Sequence, residues 1–146
     1  MIKPIALNLV VLMTLPLAAH ARDDRQRYSV ADALNTVAAK EKLGTDVKFY
    51  FGSQPHAKVQ QSFGVDQSNR KTNGVGKTDK EACEWAFLSA MIAFKDAATR
   101  RGANAVINMH SNYKGVEFVS DTEYECGSGG IMSGVTIKGE LVKLAQ

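Results

Sequence analysis

Cys83 and Cys126 are the two cysteines of this chain, and their surroundings bound what they can do. Neither sits in a C-x-x-C pair or beside a motif that would lower a thiol pKa. In an oxidising compartment the simplest outcome for such a pair is a disulfide. Unpaired thiols, and redox or metal chemistry, are the alternatives. The residue phasing set out below turns both sulfurs toward one helix–sheet interface, which a bridge requires. Closing the loop between them would restrict the unfolded chain by about 4 kcal/mol.

Histidines and carboxylates offer a second chemistry. Beyond the N-terminal segment the chain carries His56, in a proline-containing turn, and His110, in a strand-like run, without H-x-H or H-x-x-x-H spacing. Each reads first as a surface or hydrogen-bonded histidine and second as a metal ligand. Asp121, Glu123 and Glu125 alternate, so on one strand they would share its outward face. A solvated face is the first reading of that row, and a loose cation site is the second. Ser128 and Ser133 lie among glycines with no G-x-S-x-G elbow, and no Ser–His–Asp set can be assembled. No catalytic constellation is visible and no cofactor is implied, so the sequence reads as non-enzymatic.

The segment Asn73-Gly-Val-Gly-Lys-Thr78 imitates a phosphate-binding loop, because Gly76-Lys77-Thr78 opens a helix. The full pattern G-x-x-x-x-G-K-[ST] needs glycine at position 71, which is Lys71. A dozen polar residues precede the segment where a buried parallel strand should be, and no apolar strand ending in Asp supplies a magnesium ligand. The ATPase reading is therefore rejected. Thr78 is better placed as a helix cap, with Glu81 three residues later completing a capping box.

These residues need elements to hold them. Val30, Leu34, Val37 and Ala38 recur at helical spacing, so residues 29–43 read as one short helix, capped by Ser29 and closed by Gly44. Val47 to Phe51 is β-branched and aromatic, hence a strand, and Lys58 to Val65 alternates, which predicts a hairpin between the two. Asp66 to Lys77 is polar and reads as a mobile surface loop. Asp79 to Arg101 is the clearest element, a long helix stopped by Gly102. Cys83, Ala86, Phe87, Ala90, Met91, Phe94, Ala97 and Ala98 share one broad apolar face, while Trp85, Leu88 and Ile92 fall opposite. That second stripe either packs under the N-terminal helix or forms a partner surface. Residues 105–111 and 116–126 read as strands, the second with Phe118, Tyr124 and Cys126 in phase. Gly127 to Gly130 makes a turn before a last strand in which Val135, Ile137 and Leu141 point one way. The expected architecture is α+β: an antiparallel sheet of four to five strands with one long helix packed across it and a short N-terminal helix.

Residues 1–21 have the form of an export signal. Lys3 supplies the positive start, Ile5 to Leu17 the apolar run, and Ala19-His20-Ala21 the cleavage pattern before Arg22-Asp23-Asp24. The run is too short to span a bilayer, which takes about 20 residues, and no cysteine follows it for lipid attachment. Residues 22–146 then form a single domain large enough for a core. The net charge is +3, of which Lys3 contributes one, and the signs are mixed along the chain. That balance argues against nucleic acid as a partner. A periplasmic or secreted protein, not membrane-embedded, is expected.

Ala82-Cys83, the run from Ala97 to Ser111 (AATRRGANAVINMHS), Cys126 and the strand Gly134 to Glu140 carry a resemblance. They resemble the small domain shared by the envelope-stress lipoprotein RcsF and the YbjQ-like proteins, in which a helix leads through an Ala-Asn-Ala-Val segment into a core strand. The chain is similar, too, to small exported proteins of unknown function, some labelled excinuclease-ATPase-like through the Gly76-Lys77-Thr78 segment. The resemblance covers about half of residues 22–146 and implies disulfides joining the helix to the later strands, with Cys83 and Cys126 at similar places. It further implies an envelope role, and for YbjQ-like proteins heavy-metal binding and ring assembly. The chain departs from RcsF in having two cysteines rather than four and no lipid-attachment cysteine. The combined expectation is an exported binding or interaction module held by a Cys83–Cys126 disulfide, its partner an envelope protein or a second copy, with a periplasmic metal-binding protein as the alternative.

Overall fold

The computed structural model describes residues 22–146; the export signal expected at residues 1–21 lies outside them. In chain order the elements are β1 (Asp24–Ser29), α1 (Val30–Leu34), α2 (Val37–Leu43), β2 (Lys48–Phe51), β3 (Val59–Asn73), α3 (Asp79–Arg101), β4 (Ala105–Ser111), a 3-10 turn (Tyr113–Gly115), β5 (Glu123–Ser128) and β6 (Met132–Leu144).

Helix α3 has the bounds expected from its caps. The Thr78 hydroxyl accepts from the Glu81 amide at 3.1 Å, and Gly102 ends the helix in the left-handed region with φ 79°. The eight residues of its broad apolar face are all buried against the sheet. The opposite stripe is covered in part by α1 and α2: Leu88 is buried and Ile92 half-buried beside Leu34, Ala38 and Leu43. The single helix expected over 29–43 is broken at Asn35 and Thr36. Ser29 does cap the first piece, but the Thr36 hydroxyl accepts from the Ala39 amide at 3.2 Å and starts a second helix. A local cap competes with helix continuation at threonine, and here it wins.

Among the described residues the sheet has six strands and is mixed, where the sequence predicts a purely antiparallel one. β6 is its centre. β3 pairs antiparallel along one side of β6, β4 and β5 along the other, with β1 outside β5 and β2 outside β4. The β2–β4 pair is parallel, and the expected β2–β3 hairpin does not form. Alternation specifies which face of a strand is buried and leaves its neighbour open. β3 continues through the segment expected as a loop, as far as Asn73. Its residues 66–73 are legible only as polar because it is an edge strand, with Ser68 alone buried. β1 was not foreseen for the same reason: Arg25 and Arg27 occupy its outward face. The strand expected over 116–126 begins only at Glu123, and the preceding segment touches the sheet through a bridge between Phe118 and Ser111.

Val135, Ile137 and Leu141 of β6 face the core and are fully buried, as their spacing implies. Asn108, with φ 51°, interrupts β4 so that Val106 and Met109 both point inward. Their side chains cross over Gly139 of β6, where a Cβ would lie 2.6 Å from a Val106 methyl. Tyr124 is fully buried, its ring 4.2 Å from that of Phe87. Burial pushes its phenol far above the usual range, and its hydroxyl has no hydrogen-bond partner among the described residues. Leaving such a group unpaired in the core costs about 1–3 kcal/mol. Tyr124→Phe should therefore raise the stability of the protein by about 1 kcal/mol, read as a higher midpoint in thermal unfolding; a lower midpoint would refute the orphaned hydroxyl.

Candidate functional site

The cysteines meet where α3 crosses the sheet. Cys83 and Cys126 are bonded, with 2.05 Å between sulfurs and 6.0 Å between Cα atoms, and both are fully buried. The Oγ of Ser128 lies 3.5 Å from the Cys83 sulfur and 3.0 Å from the Oγ of Ser133. The two serines considered as nucleophiles are thus buried and bonded to each other rather than to a base. A thiolate in solution has no path to these sulfurs while the fold is closed, which gives the bridge a structural role instead of an exchange role.

The histidines and carboxylates are placed apart. His56 is exposed in the turn after β2, its Nδ1 2.8 Å from the Ala57 carbonyl and its ring beside Tyr50. His110 has Nδ1 2.8 Å from the Asn108 carbonyl and Nε2 3.4 Å from Glu117. Hydrogen bonds from Lys138, then His110, hold the Glu117 carboxyl below its ordinary range. The expected row of Asp121, Glu123 and Glu125 does not form one outward face. Asp121 precedes β5, where strand alternation does not apply. It accepts from the Ser53 amide at 2.7 Å and from the Ser53 hydroxyl, clamping the turn at Gly52. Gly52 has φ 56°, and any Cβ there would run into Asp121. Glu123 is exposed. Glu125 is only 5% exposed, and Arg27 closes over it at 3.5 Å while stacking on the Phe118 ring at 4.0 Å. Among the described residues no three of His, Cys, Asp and Glu are grouped to hold a metal ion.

Gly76-Lys77-Thr78 follows an antiparallel edge strand. The Lys77 ammonium turns back to the Asn73 carbonyl at 3.1 Å, and the Asn73 side chain accepts from the Val75 amide. On the far side of the sheet Tyr113 lies across Gly127 and lines a hollow with Arg22, Lys71 and Lys114. Most of that charge is already matched, since Arg22 pairs with Asp24 and Asp79, and Lys114 with Asp23. The hydrogen bond from Lys114 keeps the Asp23 carboxyl below its usual range.

Of the Trp85, Leu88 and Ile92 stripe, Trp85 is the member left open, at 41% exposure. It borders a notch of about 110 Å³ between α3 and the α1–α2 corner, lined also by Thr36, Ala38, Glu81, Glu84 and Leu88. Val37 beside it is 74% exposed. Lys80 approaches Glu84 at 3.8 Å along the helix, and the Glu81 side of the notch is open. The spacing of Glu81 marks it only as a partner of the Thr78 cap, and Thr36 and Glu84 carry no signal of their own. The helix break at Thr36 makes the notch, and no periodic pattern announces it.

No protein-family model, curated protein or solved structure matches this chain. Among the described residues no helix is long and apolar enough to cross a membrane.

The disulfide joins residues 43 positions apart, so its loss should lower stability by about 4 kcal/mol on the loop-entropy account. Cys83→Ser and Cys126→Ser should both show that loss in denaturant titration. The wild type should resist alkylation in the presence of a phosphine reductant until denaturant is added. Rapid reduction of the folded protein would show that the bridge opens to solvent.

Proposed function

We propose that this protein is an exported binding or interaction module, stabilised by its internal disulfide and acting through its surface. The observation that carries the reading is the Cys83–Cys126 bridge, sealed between α3 and the sheet. A bond of this kind forms and persists in an oxidising compartment, which agrees with the export signal read in residues 1–21. The candidate nucleophiles Ser128 and Ser133 and the carboxylates Asp121 and Glu125 support surface function, since each is engaged in contacts that hold the fold. An envelope protein as partner extends the same proposal, along the line of the RcsF and YbjQ-like resemblance.

The surface offered to the partner is the Trp85 notch. An exposed indole over a small apolar floor suits an anchoring side chain, since interface energy concentrates at such aromatic positions. Glu81 and Glu84 at the rim favour a cation, and a lysine or arginine can lay its aliphatic stem on Trp85 and Leu88 with its head at the carboxylates. The occupant proposed is therefore a basic side chain of a partner protein.

Two measurements bear on the two halves of this reading. Intact mass of material exported by a bacterial host should correspond to residues 22–146 less two hydrogens; two free thiols would sink the exported-disulfide half. Trp85 is the single tryptophan, so its emission reports on the notch directly. Titration with a short arginine-rich peptide should shift that emission to the blue, and Glu81→Gln with Glu84→Gln should abolish the shift. An unchanged spectrum at millimolar peptide would remove the notch as the binding surface.

A further inference from the structure

β3 is an edge of the sheet: among the described residues it pairs with β6 alone and leaves its other side without a neighbour. It is long for an edge, with 15 residues, and proteins ordinarily blunt such edges because they template pairing with another chain. The first part of β3 is blunted, by register shifts near Gln61 and before Val65 and by Gly64 with φ 92°. From Val65 to Asn73 the register with β6 runs without a shift. Val65 is 66% exposed there.

We infer that β3 pairs with β3 of a second copy of this chain, antiparallel about Ser68, to make one continuous sheet across a twofold axis. The charge pattern of the strand selects this pairing. A twofold axis normal to the sheet keeps the helix side of one copy level with the helix side of the other. Residues directly opposite must then lie on the same face, so the axis passes through a residue of β3. Asp66, Ser68 and Arg70 occupy the helix side, opposite Gly139, Ile137 and Val135 of β6. With the axis at Ser68, Asp66 of each copy faces Arg70 of the other, and this favourable pair occurs twice. Gln67 faces Asn69, also twice. On the open side Val65 faces Lys71, whose aliphatic stem can cover it. An axis at Arg70 or Lys71 would oppose like charges, and one at Gln67 or Asn69 leaves Asp66 without a basic partner. A strand that met only an unrelated segment would have no need of this symmetry.

The neighbourhood leaves room for the arrangement. Hollows of about 180 and 230 Å³ lie between β3 and α3 and share Arg70 and Ala93. Asp66 is approached by Arg101 at 3.6 Å within its own chain, and the Nε of Arg70 donates to the Ser68 hydroxyl at 3.2 Å. Neither contact blocks the outer edge of the strand. Directly opposed pairs on antiparallel strands attract when opposite in charge and are destabilising when alike, so reversing one sign converts two attractions into two repulsions.

Sedimentation of the exported protein over a concentration series should show a reversible dimer. Asp66→Arg and Arg70→Asp should each weaken it about tenfold or more, at thermal midpoints that show both variants folded. The double variant Asp66→Arg/Arg70→Asp should restore it. Ser68→Cys places a thiol opposite its own copy, about 4.5–5.5 Å between Cα atoms, and should cross-link on mild oxidation, whereas Thr72→Cys should not. A wild type that stays monomeric at millimolar concentration, single reversals that leave the dimer intact, or cross-linking at Thr72 as fast as at Ser68 would each overturn the inference. The outcome does not depend on the Trp85 notch.

Discussion

Helix α3 has to be buried on two sides, and that requirement organises the molecule. Its broad face closes the core against β3, β5 and β6, where Cys83 is bonded to Cys126. Its other side is roofed by α1 and α2, which reach Leu88 and Ile92 but stop short of Trp85. The disulfide ties the second turn of α3 to β5, so this end of the helix cannot leave the sheet without the chain unfolding. Around that joint sit Phe87 stacked on Tyr124 and the Ser128–Ser133 hydroxyl pair. The bridge constrains the unfolded chain and adds apolar bulk to the core, and both effects favour the closed form.

The sheet is built with the same economy of cover. β6 carries three neighbours because β4 and β5 follow one another along one side of it. The break in β4 at Asn108 lets two consecutive inward side chains reach the core over Gly139. On the face away from α3, a small apolar cluster of Ala105, Ile107, Val142 and Leu144 and the 112–122 segment stand in place of a second helical layer. There Arg27 lies between Glu125 and Phe118, and Tyr113 lies across Gly127. The surfaces proposed for binding lie at the periphery: the Trp85 notch at one corner and the outer edge of β3 along one side. They differ in chemistry, one an exposed indole beside two carboxylates, the other a strand edge that carries Asp66 and Arg70.

Where spacing failed, burial depended on a partner distant in the chain or on a local cap. Helical phasing located α3 and both of its faces, and strand parity placed Cys126, Val135, Ile137 and Leu141 inward. The same parity misjudged Asp121, which lies in a turn before the strand begins, and Glu125, whose exposure depends on whether Arg27 arrives from another strand. β1 and the second half of β3 were invisible because an edge strand buries too little to need an apolar alternation. Their partners are β5 and β6, far away in the chain, and no local rule names a partner.

The sequence by itself determined the elements with a buried face: the long helix with its caps, the core strand at 105–111, the inward residues of β6, and a pair of cysteines in phase with one another. It did so because periodicity and capping are local and act within a turn or two of the chain. Only the tertiary structure decided that β2 lies parallel to β4, that 66–73 is strand, that the helix at 29–43 breaks at Thr36, and that the carboxylate row is dispersed. Each of those depends on which distant surface supplies the better burial or the missing hydrogen bond, and that competition is settled over the whole core.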